Sequence, residues 1–136
     1  MIVFLLLLLG AVMNDTSARD VISINTGWQF KKGPFSTDPM RASAQWDGKW
    51  EEVTIPHTWN AKDMQVKADA FYEGVGYYRK KQFFGNELAG KRVFLRFEGV
   101  GACTEVYVNG KLVGTHKGGY SAFAFEIGTA LKLGAE

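Results

Sequence analysis

Short runs in which apolar and polar residues alternate, broken by turn residues, organise most of this chain. In "KRVFLRFEGV", Val93, Leu95 and Phe97 alternate with Phe94, Arg96 and Glu98, the period of two that gives a strand one buried face. Phe123, Phe125 and Ile127 repeat the pattern. Runs of this kind at 21–31, 52–56, 75–84, 91–100, 103–108, 111–116 and 122–127 predict seven short strands. The sharpest local signal is Asn109-Gly110, because a two-residue type I′ turn needs φ > 0 at both central positions. Such a turn pairs Val108 with Lys111, Tyr107 with Leu112 and Val106 with Val113. Val106, Val108 and Val113 then share one face, and Tyr107 and Leu112 the other. No helical stripe interrupts the strands beyond a turn in "GTALKLG", so the expected fold class is all-β, an antiparallel β-sandwich. Seven is an odd number for a double-sheet jelly roll of about eight strands, so the fold is expected to be truncated at the C-terminus. Two irregular stretches, 33–48 and 57–74, are where function is expected to sit.

The first residues, "MIVFLLLLLGAVMNDTSARD", depart from this pattern. An apolar run from Ile2 to Leu9 leads into the small residues Thr16-Ser17-Ala18, as in a secretory signal peptide. No Lys or Arg precedes the run, which leaves the α-amino group as the positive charge of that region. The apolar stretch is well short of the roughly 20 residues that span a bilayer, so no stable membrane span is expected. The expected organisation is a signal peptide at 1–18 and one domain at 19–136, in a periplasmic or secreted protein. Asn14-Asp15-Thr16 matches a glycosylation acceptor but lies within the segment to be removed, and is read as chance.

Composition narrows the chemistry. Of 136 residues, 46% are apolar, 14% aromatic and 22% charged, with 16 glycines, which is globular and turn-rich. A net charge of +2 with no cluster of Lys and Arg argues against nucleic acid. Cys103 is the only cysteine, so no intrachain disulfide can form, and its place in a strand predicts a buried structural thiol. His57 and His116, the only imidazoles, are far apart in sequence, and nothing in the spacing suggests a metal site. No cofactor is expected.

Two loop segments carry candidate chemistry. In "TIPHTWNAKD", His57, Trp59, Asn60 and Asp63 follow a strand that ends at Pro56. An aromatic beside amide and carboxylate groups suits a sugar, whose apolar face stacks while its hydroxyls find partners; equally, Trp59 can plug the core and His57 brace the loop. In "DAFYEGVGYYRK", Tyr72, Glu73 and Tyr77 surround two glycines that let the backbone bend sharply. Asp63, Asp69 and Glu73 are the only carboxylates placed for glycoside hydrolysis. All lie in one loop with no second element to hold a pair about 5–9 Å apart. Ser121 has no Gly-x-Ser-x-Gly elbow.

"NTGWQF", "IPHTWNAKD", "GVGYYRK" and "GKRVFLRFEGVGACTEVYVNGKLVGTHKGGYSAFAFEI", in this order and spacing, resemble the N-terminal sugar-binding domain of glycoside hydrolase family 2. Within it they most resemble the exported bacterial β-galactosidases. The resemblance covers essentially everything after the signal segment. It implies a galactose-binding-like jelly roll that packs on a later barrel carrying two catalytic glutamates, neither of them in this chain. It also implies that loops of this domain form part of the active-site wall. Family β-galactosidases place a sugar-touching Asn where this chain has Gly74, so that interaction is either missing from this chain or supplied by Glu73. The partners it implies are a β-galactoside glycan and the C-terminal domains of the same polypeptide. The substrate-binding residues expected are Asn60, Asp63, Tyr72, Glu73, His116 and Tyr120. Gly118 and Gly119 in "HKGGY" bend the chain so that His116 and Tyr120 stand at the sandwich edge, unless Tyr120 packs under the bend. A standalone carbohydrate-binding module, a purely structural sandwich, and the same domain of a β-glucuronidase or β-mannosidase are the alternatives.

Overall fold

The computed structural model describes residues 19–33, 49–60 and 72–134. Its strands are β1 (Trp28–Lys32), β2 (Glu51–Val53), β3 (Gly76–Arg79), β4 (Phe94–Phe97), β5 (Cys103–Val108), β6 (Lys111–Lys117) and β7 (Phe123–Glu126). Each falls on a run expected to be a strand, and a 3₁₀ turn at Gly128–Ala130 occupies "GTALKLG". Every pairing is antiparallel. β2-β1-β3 form one sheet, while β4 pairs with β7 and β5 with β6. The described residues are thus all-β, as a β-sandwich requires.

Alternation decides what is buried. Val93, Leu95 and Phe97 turn inward while Phe94, Arg96 and Glu98 are exposed. Ring centroids of Phe97 and Phe123 stand 5.0 Å apart across the β4–β7 pair, and those of Phe123 and Phe125 stand 5.5 Å apart. Phe97 and Phe125 are half-buried; the most buried apolar side chains are Phe30, Val53, Val106, Ile127 and Ala130. The β7 end is tied down by Ile127 N–H donating to the Val93 carbonyl at 2.8 Å.

The β5–β6 hairpin departs from the expected register in one place. Asn109 and Gly110 have φ of 51° and 79°, as a type I′ turn demands. Val108 faces Lys111 and Tyr107 faces Leu112, but Val106 faces Gly114 rather than Val113. Val113 is the extra residue of a β-bulge. The bulge brings Gly114, not a valine, opposite Val106 and under the Phe125 ring, where a Cβ would strike the aromatic carbons. The Phe125 ring of β7 thus packs where the bulge places a residue without a side chain. The Asn109 amide also closes the structure, donating to the Ala130 carbonyl at 2.8 Å.

Cys103 is exposed, not the buried thiol expected from its strand. In β5 the half-buried Thr104 and buried Val106 point inward, so Cys103 and Glu105 point out. The period identifies two faces without saying which is covered.

Candidate functional site

One face of the β2-β1-β3 sheet carries a polar and aromatic cluster. Phe30 pairs with Tyr78 and Lys32 with Gly76. Residues two apart on a strand share a face, so Phe30, Lys32, Gly76 and Tyr78 form one surface. The segment after β2 lies across it. His57 and Trp59 both pack on Phe30, with ring centroids at 4.8 and 5.9 Å, and Phe30 meets Tyr78 at 4.7 Å. The Trp59 ring occupies the space a side chain at position 76 would fill. Glycine is needed there for room, since Gly76 has no positive φ.

Polar groups sit at the edges of this aromatic floor. His57 Nδ1 is 2.9 Å from the Tyr78 hydroxyl. The Asn60 amide donates to the Tyr72 carbonyl at 3.1 Å, and Lys32 Nζ reaches Asn60 Oδ1 at a long 3.5 Å. Lys32 Nζ also stands 5.4 Å from the Tyr72 ring centroid, within cation–π range. Tyr72 meets Trp59 edge-on at 6.2 Å and donates its hydroxyl to the Val75 carbonyl at 3.0 Å. That bond folds the Tyr72 ring over Gly74, so a Cβ at position 74 would collide with the hydroxyl. An Asn in place of Gly74 would have to displace Tyr72. Burial, followed by the charge of Glu51, raises the Tyr78 pKa above its usual range, which keeps the phenol a hydrogen-bond donor. The floor is apolar, with an amide, an ammonium and an imidazole along its rim.

The expected binding residues divide between two places. Asn60 and Tyr72 are joined directly, and Glu73 is exposed beside them. Asp63 lies outside the described residues, as does Asp69. His116 and Tyr120 belong to the other group. His116 stacks on Phe123 at 4.0 Å with 15° between planes, so the ring caps the aromatic column, and its Nε2 is 3.2 Å from Ser121 Oγ. Tyr120 is fully exposed, at 104%, and does not pack under the bend. Gly118, with φ of 120°, donates its N–H to the Ala102 carbonyl at 2.7 Å and makes the turn. Among the described residues no hydrogen bond or ring stacking joins His116 or Tyr120 to the Asn60–Tyr72 group.

Sequence reasoning passed over Lys32 and Tyr78. Tyr77, named beside the two glycines but not among the expected binding residues, pairs with Lys31 and so faces the opposite side. That side holds Gln29 and Arg79, with Arg79 Nε donating to Gln29 Oε1 at 2.7 Å and the guanidinium 4.0 Å from the Trp50 ring centroid. The buried Phe30 was the signal to follow: counting by two from it selects Lys32 and, across the ladder, Tyr78. No group of three or more metal-ligating side chains occurs among the described residues, and no described helix is long and apolar enough to cross a membrane.

Comparison with known proteins identifies the family of the chain. A family profile described as "Glycosyl hydrolases family 2, sugar binding domain" matches residues 21–136. A solved Bacteroides fragilis structure, described as a "putative beta-galactosidase", is 81% identical with a TM-score of 0.72, covering 84% of this chain and 17% of that one. A Bacteroides fragilis beta-glucuronidase is 38% identical over 96% of this chain and 17% of the relative. A Thermoanaerobacter pseudethanolicus beta-galactosidase is 33% identical over 85% and 15%. The chain spans less than a fifth of the length of these relatives.

Proposed function

The chain belongs to the sugar-binding domains of glycosyl hydrolase family 2, and from that premise we propose that its β2-β1-β3 face serves as part of the sugar-contacting wall of a β-glycosidase. The observation that carries the reading is the pair of half-buried rings Trp59 and Tyr72, seated on the buried Phe30, with Asn60 and Lys32 at their edge. Sugars present an apolar ring face and a fringe of hydroxyls, and this surface offers the counterpart of both. Hydrolysis itself is assigned to other domains of the whole polypeptide, a reading supported by the chain's spanning less than a fifth of the length of its relatives.

The substrate assigned first is a terminal β-galactoside. The 81% identity to a protein bearing that description supports it. A β-glucuronide is the second reading, supported by the Bacteroides fragilis beta-glucuronidase relative and by an ammonium, Lys32, beside the floor, which suits a uronate carboxylate. Export through the 1–18 segment is part of the proposal, with a periplasmic or secreted destination.

The test uses the full-length polypeptide that carries this domain, with p-nitrophenyl β-D-galactoside and p-nitrophenyl β-D-glucuronide. Asn60→Ala should lower kcat/KM on the true substrate about three- to tenfold, the range of one hydrogen bond, and Tyr72→Ala should lower it at least as much, with a lowered Tm because its packing on Trp59 and its bond to the Val75 carbonyl are lost as well. Wild-type kinetics in both variants would remove this face from the substrate site. Preference between the two glycosides decides the substrate class.

A further inference from the structure

His57 packs against Phe30 and Tyr78 at the edge of this face. Its Nδ1 meets the Tyr78 hydroxyl at 2.9 Å, and the two groups must divide donor and acceptor between them. The half-buried phenol has a proton to give, and in the arrangement where Tyr78 O–H donates, Nδ1 accepts. A neutral imidazole with a bare Nδ1 carries its one hydrogen on Nε2. Phe30 fixes the ring, 4.8 Å away at 58° between planes. Among the described residues none hydrogen-bonds Nε2.

We propose that His57 is a further sugar-contacting residue, whose Nε2–H, set by Tyr78, donates to an acceptor oxygen of a glycoside lying against Trp59. The inference rests on the reading of this face as sugar-binding. His57 and Trp59 are two residues apart on one segment and share the Phe30 ring beneath them. A sugar stacked on the indole would lie beside the neighbouring imidazole. Tyr78 touches no substrate in this scheme; it is a positioning residue that selects the tautomer.

Two substitutions separate the tautomer from mere bulk. His57→Asn leaves an oxygen near the Nδ1 position to accept from Tyr78 but provides nothing at Nε2. His57→Gln extends an amide N–H to about the Nε2 position. In the full-length polypeptide, with the two p-nitrophenyl glycosides, His57→Asn should lose about three- to tenfold in kcat/KM, and His57→Gln should recover most of that loss. Their Tm values should be similar. In 15N-histidine-labelled protein, His57 should show a protonated Nε2 and an unprotonated Nδ1, and Tyr78→Phe should mix the tautomers. An Nδ1-protonated His57, or equal kinetics for the two His57 variants, would overturn the proposal. If Asn60→Ala and Tyr72→Ala impair turnover while both His57 variants match wild type, this inference falls and the site stands. If all four match wild type, both fall together.

Discussion

Gly114→Ala tests the packing of β6 on β7, because two effects of opposite sign compete at that position. A glycine with ordinary φ that becomes alanine gains about 0.4–1 kcal/mol, since the unfolded chain has less freedom to lose. Gly114 has no positive φ, so that gain is open to it. Against it stands the Phe125 ring. A Cβ built on Gly114 would lie 2.7 Å from Cζ and closer still to Cε1 and Cδ1, well inside the separation carbon atoms tolerate. The ring has little room to withdraw, with Phe123 at 5.5 Å and Leu95 opposite it in the ladder. Overpacking of this kind costs about 1–3 kcal/mol, so the clash wins by about 1–2 kcal/mol. Tm should fall by about 3–8 °C for a domain of this size. Thermal unfolding followed by circular dichroism reads this directly. Phe125→Leu in the same chain should recover part of the loss, giving a coupling energy of about 0.5 kcal/mol or more in a double-mutant cycle. A Gly114→Ala variant that melts at or above the wild-type temperature would refute the bulged register and the placement of Phe125 beneath it.

The other predictions concern the turn, the surface charges and the thiol. Asn109→Ala should cost about 1–2 kcal/mol in urea unfolding, since it removes both a residue suited to φ of 51° and the bond to the Ala130 carbonyl. Glu98 and Glu126 titrate below their ordinary value when folded, chiefly through hydrogen bonds from Arg96 and Arg92. The unfolded chain thus takes up protons first as pH falls. Their contribution is full above the ordinary carboxylate range and is lost on acidification through the folded pKa. Both pairs are exposed, so Glu126→Gln should flatten the acid limb of Tm against pH only slightly, and less at high salt. Cys103 should react with one equivalent of Ellman's reagent under native conditions, at a rate unchanged by denaturant concentrations below the unfolding transition; reaction only on unfolding would return it to the core.

What could be read from the sequence was local. The β4 and β7 strands follow from residues two apart, and the hairpin turn from one dipeptide. The bulge at Val113 was beyond such reasoning because the residue it brings into line, Gly114, packs against Phe125 on a different strand. The site shows the same division. Aromatic and amide residues in "HTWN" and "FYEG" could be marked as sugar-suited, but Tyr77 and Tyr78 are equivalent to a period-two count until one neighbour is known to be buried. The glycines of "EGVGYY" looked like a bend, yet neither Gly74 nor Gly76 has a positive φ. Gly74 makes room for the Tyr72 hydroxyl and Gly76 for the Trp59 ring. Space, not backbone freedom, is what these positions supply. If either carried a side chain, the 57–60 segment or Tyr72 would be lifted from the sheet, and Asn60, held by the Tyr72 carbonyl, would move with them. The sugar-suited surface therefore exists because β3 and the residues before it leave the face bare at two positions, and the requirement that folds the loop onto the sheet also aligns the candidate site.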